Sequence, residues 1–184
     1  MKQVTIMGTV LFLSALMLSF AAACAGGQSN VVGKFEFDGV SMEPTFSDGD
    51  AVTVVELGES EPQRGHIILF KPPGQQRDFI KRVIGEPGEV IQISDGTVYI
   101  DEQPLIEPYI KARSSSNFGP AVVPADCYFV IGDNRNNSSD SRGWGAVPRY
   151  NIIGLVLMEA PQTQVNEVVV GADRTNAPLM ECSP

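Results

Sequence analysis

The stretch DFIKRVIGEPGEVIQISDGTVYI, residues 78–100, contains three short runs of apolar and β-branched residues separated by two turn signals. The turn signals are Glu86-Pro87-Gly88 and Asp95-Gly96, and Gly and Pro at such points are typical of chain reversals. Runs this short indicate strands rather than helices. The stretch therefore predicts consecutive strands joined by tight turns.

The same pattern continues on both sides of this stretch. The chain has 18 glycines and 13 prolines, which favours a turn-rich β protein over a helical bundle. We predict a mainly β fold, with antiparallel sheets forming a packed, partly open barrel-like domain. Residues 112–124 contain Ser, Gly and Pro, so we expect a loop there. The predicted strands lie at residues 34–38, 51–56, 66–70, 78–84, 89–93, 97–100, 127–131 and 152–158.

The N-terminal residues 4–25 are apolar and uncharged, and Lys2 precedes them. This length is sufficient for a transmembrane helix, and the preceding positive charge predicts that the remainder of the chain lies outside. Two alternatives stay open: a signal peptide cleaved near Ala21-Ala22-Ala23, or a lipid attached to Cys24. All three interpretations export the rest of the chain.

Charge and cysteine content exclude several classes of function. The net charge is −9 and there is no Lys/Arg cluster, so we expect no nucleic-acid partner. With one histidine and no CxxC spacing, we expect no metal site, and without a glycine-rich phosphate loop we expect no nucleotide or other cofactor. Cys127 and Cys182 form a disulfide in an oxidising compartment, or they are two unpaired thiols.

A serine in a turn is the first candidate for chemistry. Ser41 stands between Gly39 and Pro44, where most serines are solvated turn residues. A Ser-His-Asp triad would need His66, the only histidine in the sequence, and His66 lies in a turn before a predicted strand. A serine–lysine pair is therefore the better hypothesis for a serine hydrolase.

Lys81 is the candidate base. Strand alternation places it on the same face as Phe79 and Val83, in an apolar setting where a charged lysine is costly. Burial lowers the pKa of a lysine, and a neutral amine can accept a proton from a serine hydroxyl. The alternative is an ordinary exposed lysine at the end of a strand.

Three segments together resemble the conserved boxes of type I signal peptidases. The first holds Ser41 in Ser-Met-Glu-Pro-Thr, and the second is Lys81 with the residues that run on to Glu89. The third, residues 132–142, reads Gly-Asp-Asn-Arg and then continues to Asp140-Ser141-Arg142. The likeness extends from Phe35 to about Gly154. His66 stands where the family usually has an aspartate.

The resemblance implies a role for each matching residue. Ser41 would be the nucleophile that forms an acyl-enzyme, and Lys81 would be its general base. Ser138 would hydrogen-bond and orient the Lys81 amine, and Asp140 and Arg142 would form a supporting ion pair. The Ser41 backbone N–H would contribute to the oxyanion hole. Gly39 stands where some members have a serine that supplies a second oxyanion donor.

The resemblance also implies the substrate and the location of the protein. Substrates would be signal peptides of preproteins, cut after Ala-x-Ala, by an enzyme anchored once in the lipid bilayer of the plasma (inner) membrane with its catalytic domain outside. Pockets for small substrate side chains would be lined by Phe35, Phe37, Met42 and Ile80, for which core packing is the alternative. The expected organisation is a membrane anchor or signal segment at 1–25, a linker at 26–33, a β-rich peptidase domain at 34–160 with a smaller inserted region at 94–126, and a strand and tail at 161–184.

Two other functions stay open at this point. One is a related serine/lysine peptidase with a narrow substrate, such as a conjugation-linked or self-cleaving enzyme. The other is an inactive exported β domain that binds partners.

Overall fold

The computed structural model describes residues 30–158 and Met180. These residues form eleven strands, one short helix and one 3-10 turn at Arg149–Asn151. The strands are β1 Val31–Glu36, β2 Ala51–Val55, β3 Ile67–Phe70, β4 Phe79–Gly85, β5 Val90–Ser94, β6 Thr97–Ile100, β7 Gln103–Pro104, β8 Phe118–Val122, β9 Cys127–Ile131, β10 Val147–Pro148 and β11 Ile152–Leu157, and the helix is α1 Ser141–Trp144.

Seven strands form the larger sheet, in the order β1-β2-β11-β3-β4-β9-β10, and every neighbouring pair is antiparallel. Strands β3 and β9 are continuous apolar runs whose residues are all buried. The middle of the sheet is therefore covered on both faces. Strand β4 lies between them and is buried from Ile80 to Gly85. This position brings Lys81 and Arg82 into the interior of the sheet.

Four strands form the smaller sheet, in the order β7-β6-β5-β8. The chain enters it after β4 and returns to the larger sheet at β9. Strands β5 and β6 alternate buried and partly exposed residues, as expected for a sheet with one covered face. The turn between them has positive φ at Asp95 and Gly96, which suits a tight hairpin. A side chain at Gly96 would also collide with the Ser114 backbone.

Buried apolar side chains form three clusters, and one of them joins the two sheets. The first contains Phe37 and Met42 and lies beneath the β1–β2 connection. The second joins the smaller sheet to β9 through residues such as Ile91 and Phe129. The third surrounds Phe70, which contacts Trp144 of α1. The core is therefore shared between the sheets rather than confined to one of them.

The prediction of a mainly antiparallel β fold is confirmed. The prediction of a loop over residues 112–124 is wrong, because β8 lies within it and pairs with β5. Gly119 and Pro120 disguise this strand, and an edge strand tolerates both residues because its outer side carries no ladder. Strands β7 and β10 and helix α1 are too short to leave a periodic pattern in the sequence.

The predicted anchor at 1–25, with its alternatives at Ala21-Ala22-Ala23 and Cys24, lies outside the described residues, as does the predicted strand and tail at 161–184 apart from Met180. Within the described ranges, no helix is long and apolar enough to cross a membrane. Cys127 is buried and disulfide-bonded. Its pairing with Cys182 stays a prediction, since residue 182 is not among the described residues.

Candidate active site

Ser41 and Lys81, which are 40 residues apart in the chain, meet in the structure. The Lys81 Nζ lies 2.7 Å from the Ser41 Oγ, a hydrogen-bonding distance. The lysine side chain is almost completely buried, with 3% of the residue exposed. The alternative of an exposed strand-end lysine is therefore wrong.

Burial sets the protonation of the lysine. The pKa of Lys81 is lowered from 10.5 to about 8, because its surroundings disfavour the charged ammonium, and the carboxylates of Asp140 and Asp133 offset part of this effect. The amine also donates to the Ile80 carbonyl over 2.9 Å. Its Nζ lies 5.3 Å from the centre of the Phe79 ring. Lys81 thus has a substantial neutral fraction near pH 8.

The serine is presented by a compact turn between β1 and β2. The Gly39 backbone has φ 105°, a conformation that favours glycine, and its N–H donates to Asp48 Oδ1 over 2.7 Å. After Ser41 the chain continues in a turn in which Met42 O accepts from both Thr45 N and Phe46 N. The Ser41 N–H donates to no acceptor among the described residues, so it is available to a ligand.

Asn134 ties this turn to the segment after β9. Its backbone N–H donates to the Ser41 carbonyl over 3.1 Å, and its side-chain amide donates to the Val40 carbonyl, also over 3.1 Å. The Ser41 turn is therefore held by the residues that follow strand β9, the neighbour of the strand that carries Lys81.

Asp140 and Arg142 form the ion pair expected from the sequence. Arg142 Nε and Nη2 donate to the two carboxylate oxygens of Asp140, each over 2.8 Å. Asp140 also caps α1 by accepting from the Arg142 N–H, and it accepts from the Gly132 N–H over 3.1 Å. The pair fixes the course of the chain from Gly132 to the helix. Its contribution to activity stays a prediction.

Ser138 differs from the expectation. Its Oγ is buried and makes no hydrogen bond to any described residue, so the predicted bond to the Lys81 amine is not formed in this structure. The hydroxyl is nevertheless close to the site, because a Cβ added to Gly132 would overlap both Ser138 Oγ and the Ser41 carbonyl. A buried hydroxyl without a partner is uncommon and costly. A role for Ser138 in orienting Lys81 stays a prediction.

A cleft of about 470 Å³ opens at Ser41 and Lys81. Phe35, Phe37 and Ile80 line it, and their role in binding substrate stays a prediction. Met42 does not line the cleft: it is fully buried in the first core cluster, where the alternative of core packing applies. Charged residues of the rim include Glu36, Asp38, Arg77 and Asp78.

Comparison with known proteins identifies the family. The family model described as "Signal peptidase, peptidase S26" matches residues 8–159, most of the chain. The chain belongs to this family. The resemblance seen in the three sequence segments is therefore confirmed.

Two curated relatives agree with this assignment. The chain is 48% identical over 124 residues to a signal peptidase I from Leptolyngbya laminosa, with 62% of this chain and 61% of that protein covered. A probable signal peptidase I-2 from Synechocystis is 42% identical, with 62% of this chain and 56% of that protein covered. The crystal structure of a signal peptidase I from Enterococcus faecalis is 34% identical, with a TM-score of 0.46, and covers 52% of this chain and 97% of that one. The chain spans about three fifths of the length of these two curated relatives.

His66 takes no part in the serine–lysine pair of this signal peptidase family member. Its Nδ1 accepts from the Gln63 N–H over 3.1 Å in the turn before β3. Burial lowers the pKa of His66, and Glu86 offsets part of that effect. The imidazole is therefore a structural part of a turn. Among the described residues, no cluster of His, Cys, Asp and Glu could hold a metal ion.

A buried ion pair that the sequence did not predict connects the Lys81 segment to the segment at 132–142. Arg82, the neighbour of Lys81, donates from Nε and Nη2 to the carboxylate of Asp133 over 2.9 and 2.7 Å. Thr45 donates its hydroxyl to the same carboxylate, and Arg82 Nη1 donates to the Gly65 carbonyl over 2.8 Å. The available signal was an arginine inside an apolar strand, since such a charge needs a partner.

Proposed function

We propose that the chain is a membrane-bound serine endopeptidase that removes signal peptides from exported preproteins after small residues, in the pattern Ala-x-Ala. The observation that carries this proposal is the 2.7 Å contact between Ser41 Oγ and a buried Lys81 amine. Membership of the signal peptidase family supports the same reaction. No cofactor is required for it.

The first half-reaction uses Lys81 in its neutral form. The amine accepts the Ser41 hydroxyl proton while Oγ attacks the scissile carbonyl carbon and forms a tetrahedral intermediate. The C–N bond then breaks, and the lysine ammonium gives its proton to the departing amine. This leaves an ester between Ser41 and the signal peptide, with Lys81 neutral again.

The second half-reaction returns the enzyme to its starting state. Lys81 accepts a proton from water, the water oxygen attacks the ester carbon, and Ser41 Oγ leaves and regains its proton from the lysine. The oxyanion of each tetrahedral intermediate would be stabilised by the free Ser41 N–H. The Gly39 N–H is already bonded to Asp48, so the second donor remains to be supplied by another group.

The cleft supports the preference for small side chains. Phe35, Phe37 and Ile80 give it apolar walls beside Ser41, and Leu69 and Phe79 extend them. Such walls favour an apolar side chain at the residue before the scissile bond, and the family resemblance adds the preference for a small one. Alanine fills such a site without displacing the wall.

The anchor belongs to the same proposal. A single-pass helix over residues 4–25 would place the catalytic domain at the outer surface of the plasma membrane, where the ends of signal peptides emerge. In this arrangement the two sheets form a packed, partly open barrel-like scaffold, and the larger sheet carries the cleft. The linker proposed at residues 26–33 would join the anchor to that scaffold and is shorter than expected, because β1 already begins at Val31.

The test is cleavage of a peptide containing Ala-x-Ala by the purified full-length protein in detergent. Wild type should cut after the second alanine, and Ser41→Ala and Lys81→Met should each lose essentially all activity. His66→Ala should retain it. Loss of activity in His66→Ala with retention in Lys81→Met would refute the mechanism, and an inert wild type would favour a binding domain instead.

A further inference from the structure

Glu107, in the segment after β7, reaches the back of the active-site segment that follows β9. Its carboxylate faces the Arg135 guanidinium: Nη1 donates to Oε2 over 2.9 Å, and Nη2 donates to Oε1. Both side chains are deeply buried, with 5% of Glu107 and 3% of Arg135 exposed. A planar two-bond contact of this kind fixes the orientation of the guanidinium.

The oriented Arg135 side chain in turn holds the backbone at Gly132. Its Nε donates to the Gly132 carbonyl over 3.1 Å, while the Gly132 N–H donates to Asp140 Oδ2 over 3.1 Å. The two ion pairs are linked, because Arg142 Nη1 donates to the Arg135 carbonyl over 2.8 Å. The backbone at Gly132 is thus held at both its N–H and its carbonyl.

Gly132 connects these two linked ion pairs to the groups proposed to react. A single added Cβ at Gly132 would overlap the Ser41 carbonyl and Ser138 Oγ, so the backbone there is in close contact with both. A shift of Gly132 would therefore displace the nucleophile turn directly. Displacements of about 1 Å can cost on the order of 100-fold in rate.

Tyr109 forms a second connection from the same segment. Its hydroxyl donates to Glu107 Oε1 over 3.0 Å, and its ring lies 4.1 Å from the guanidinium carbon of Arg82. Burial and the Glu107 carboxylate raise the pKa of Tyr109, so the phenol keeps its proton and remains a donor. Glu107 and Tyr109 together contact the arginines of both active-site segments.

We propose that Glu107 is a positioning residue for the peptidase reaction, acting through Arg135 on Gly132 and thereby on Ser41, with Tyr109 holding its carboxylate in place. This inference rests on the proposed function. A buried ion pair contributes little net stability compared with apolar residues in the same space, so stability alone does not account for this one. The need to orient Gly132 accounts for the buried pair.

The test compares four variants of the full-length protein for kcat, KM and melting temperature on the Ala-x-Ala peptide. Glu107→Gln should lower kcat by about 10-fold or more per folded molecule with KM unchanged. Tyr109→Phe removes one hydrogen bond and keeps the ring, so kcat should fall by about 2- to 10-fold. Glu102→Gln, an exposed change after β6, should match wild type.

The fourth variant separates positioning from folding. Glu107→Gln combined with Arg135→Gln leaves no unpaired buried charge, so its melting temperature should exceed that of Glu107→Gln alone. Its kcat should stay low, because the double variant lacks the Nε donor to the Gly132 carbonyl. Recovery of kcat together with melting temperature would overturn the inference, as would an effect confined to KM. If Glu107→Gln does not fold, Tyr109→Phe and the double variant decide by the same criteria.

These outcomes are distinct from failure of the proposed function. An inactive wild type, or a Ser41→Ala protein as active as wild type, would refute the peptidase assignment itself. An active wild type with Glu107→Gln at the same kcat would refute only the positioning role.

Discussion

The Asn134 N–H donates to the carbonyl oxygen of Ser41 over 3.1 Å, and this bond joins the nucleophile turn to the segment that carries the supporting residues. The side-chain amide of Asn134 also donates to the Val40 carbonyl in the same turn. The turn that carries Ser41 is therefore held by two hydrogen bonds from Asn134, one to Ser41 and one to Val40.

Replacement of Asn134 tests this connection. Asn134→Ala removes the bond to Val40 while keeping the backbone bond to Ser41. We expect a loss of about 1 kcal/mol in the free energy of unfolding. Peptide kcat should fall about 10-fold through the displaced serine. Asn136→Ala, at an exposed position in the same segment, is the control. Equal kcat in the two variants would show that the side-chain bond does not position Ser41.

Lys81→Met should stabilise the fold at neutral pH. The pKa of Lys81 is about 8 in the folded protein and 10.5 in an unconstrained chain, so between these values the unfolded state binds more protons. Wild-type stability therefore rises with pH across that interval, and below pH 8 the buried charge costs on the order of 3 kcal/mol.

Urea unfolding at pH 7 and at pH 10 measures this effect. The methionine variant lacks the titration, so it should be more stable than wild type at pH 7, and the difference should shrink at pH 10. A difference that grows with pH would show that the folded-state pKa of Lys81 is not lowered.

Ser138→Ala should separate activity from stability. The hydroxyl is buried without a partner among the described residues, so its removal should leave the melting temperature unchanged or slightly raised. If the hydroxyl orients the amine during the reaction, kcat should fall by about 10- to 100-fold. Ser60→Ala on the surface serves as the control. A destabilised Ser138→Ala protein with normal kcat would contradict both statements.

Asp133→Asn tests the buried pair behind the base. Removal of one partner leaves Arg82 as an uncompensated buried charge, so the free energy of unfolding should fall by about 3–5 kcal/mol. The matched control is Asp38→Asn, whose partner Arg77 is exposed, and which should cost less than about 1 kcal/mol. Equal costs in chemical denaturation would show that Arg82 finds another partner.

Local pattern was enough to predict most of the strands, because short apolar runs between Gly and Pro turns leave a clear period. It failed at β8, where Gly119 and Pro120 hide an edge strand. Met42 was assigned to a substrate pocket from the family resemblance, with core packing as the alternative, and its fully buried side chain packs in the core. A single sequence does not distinguish a wall of a cleft from the layer beneath it.

Contacts between residues far apart in the sequence are the second feature that local pattern does not predict. Ser41 and Lys81 were paired from the resemblance of their segments, and the distance between them agrees with that pairing. The contacts of Arg82 with Asp133 and of Arg135 with Glu107 depend on the register of β4 against β9 and on the position of the smaller sheet. Neither is encoded in residue spacing.

The pH profile of kcat/KM on the Ala-x-Ala peptide tests the central claim, that neutral Lys81 is the base for Ser41, most directly. Activity of the wild type should rise through an apparent pKa of about 8 and then level off, since the protonated amine cannot accept the serine proton. His66→Ala should give the same profile. A profile governed by a group that titrates at or below the ordinary histidine pKa of 6.5, and that disappears in His66→Ala, would contradict the account.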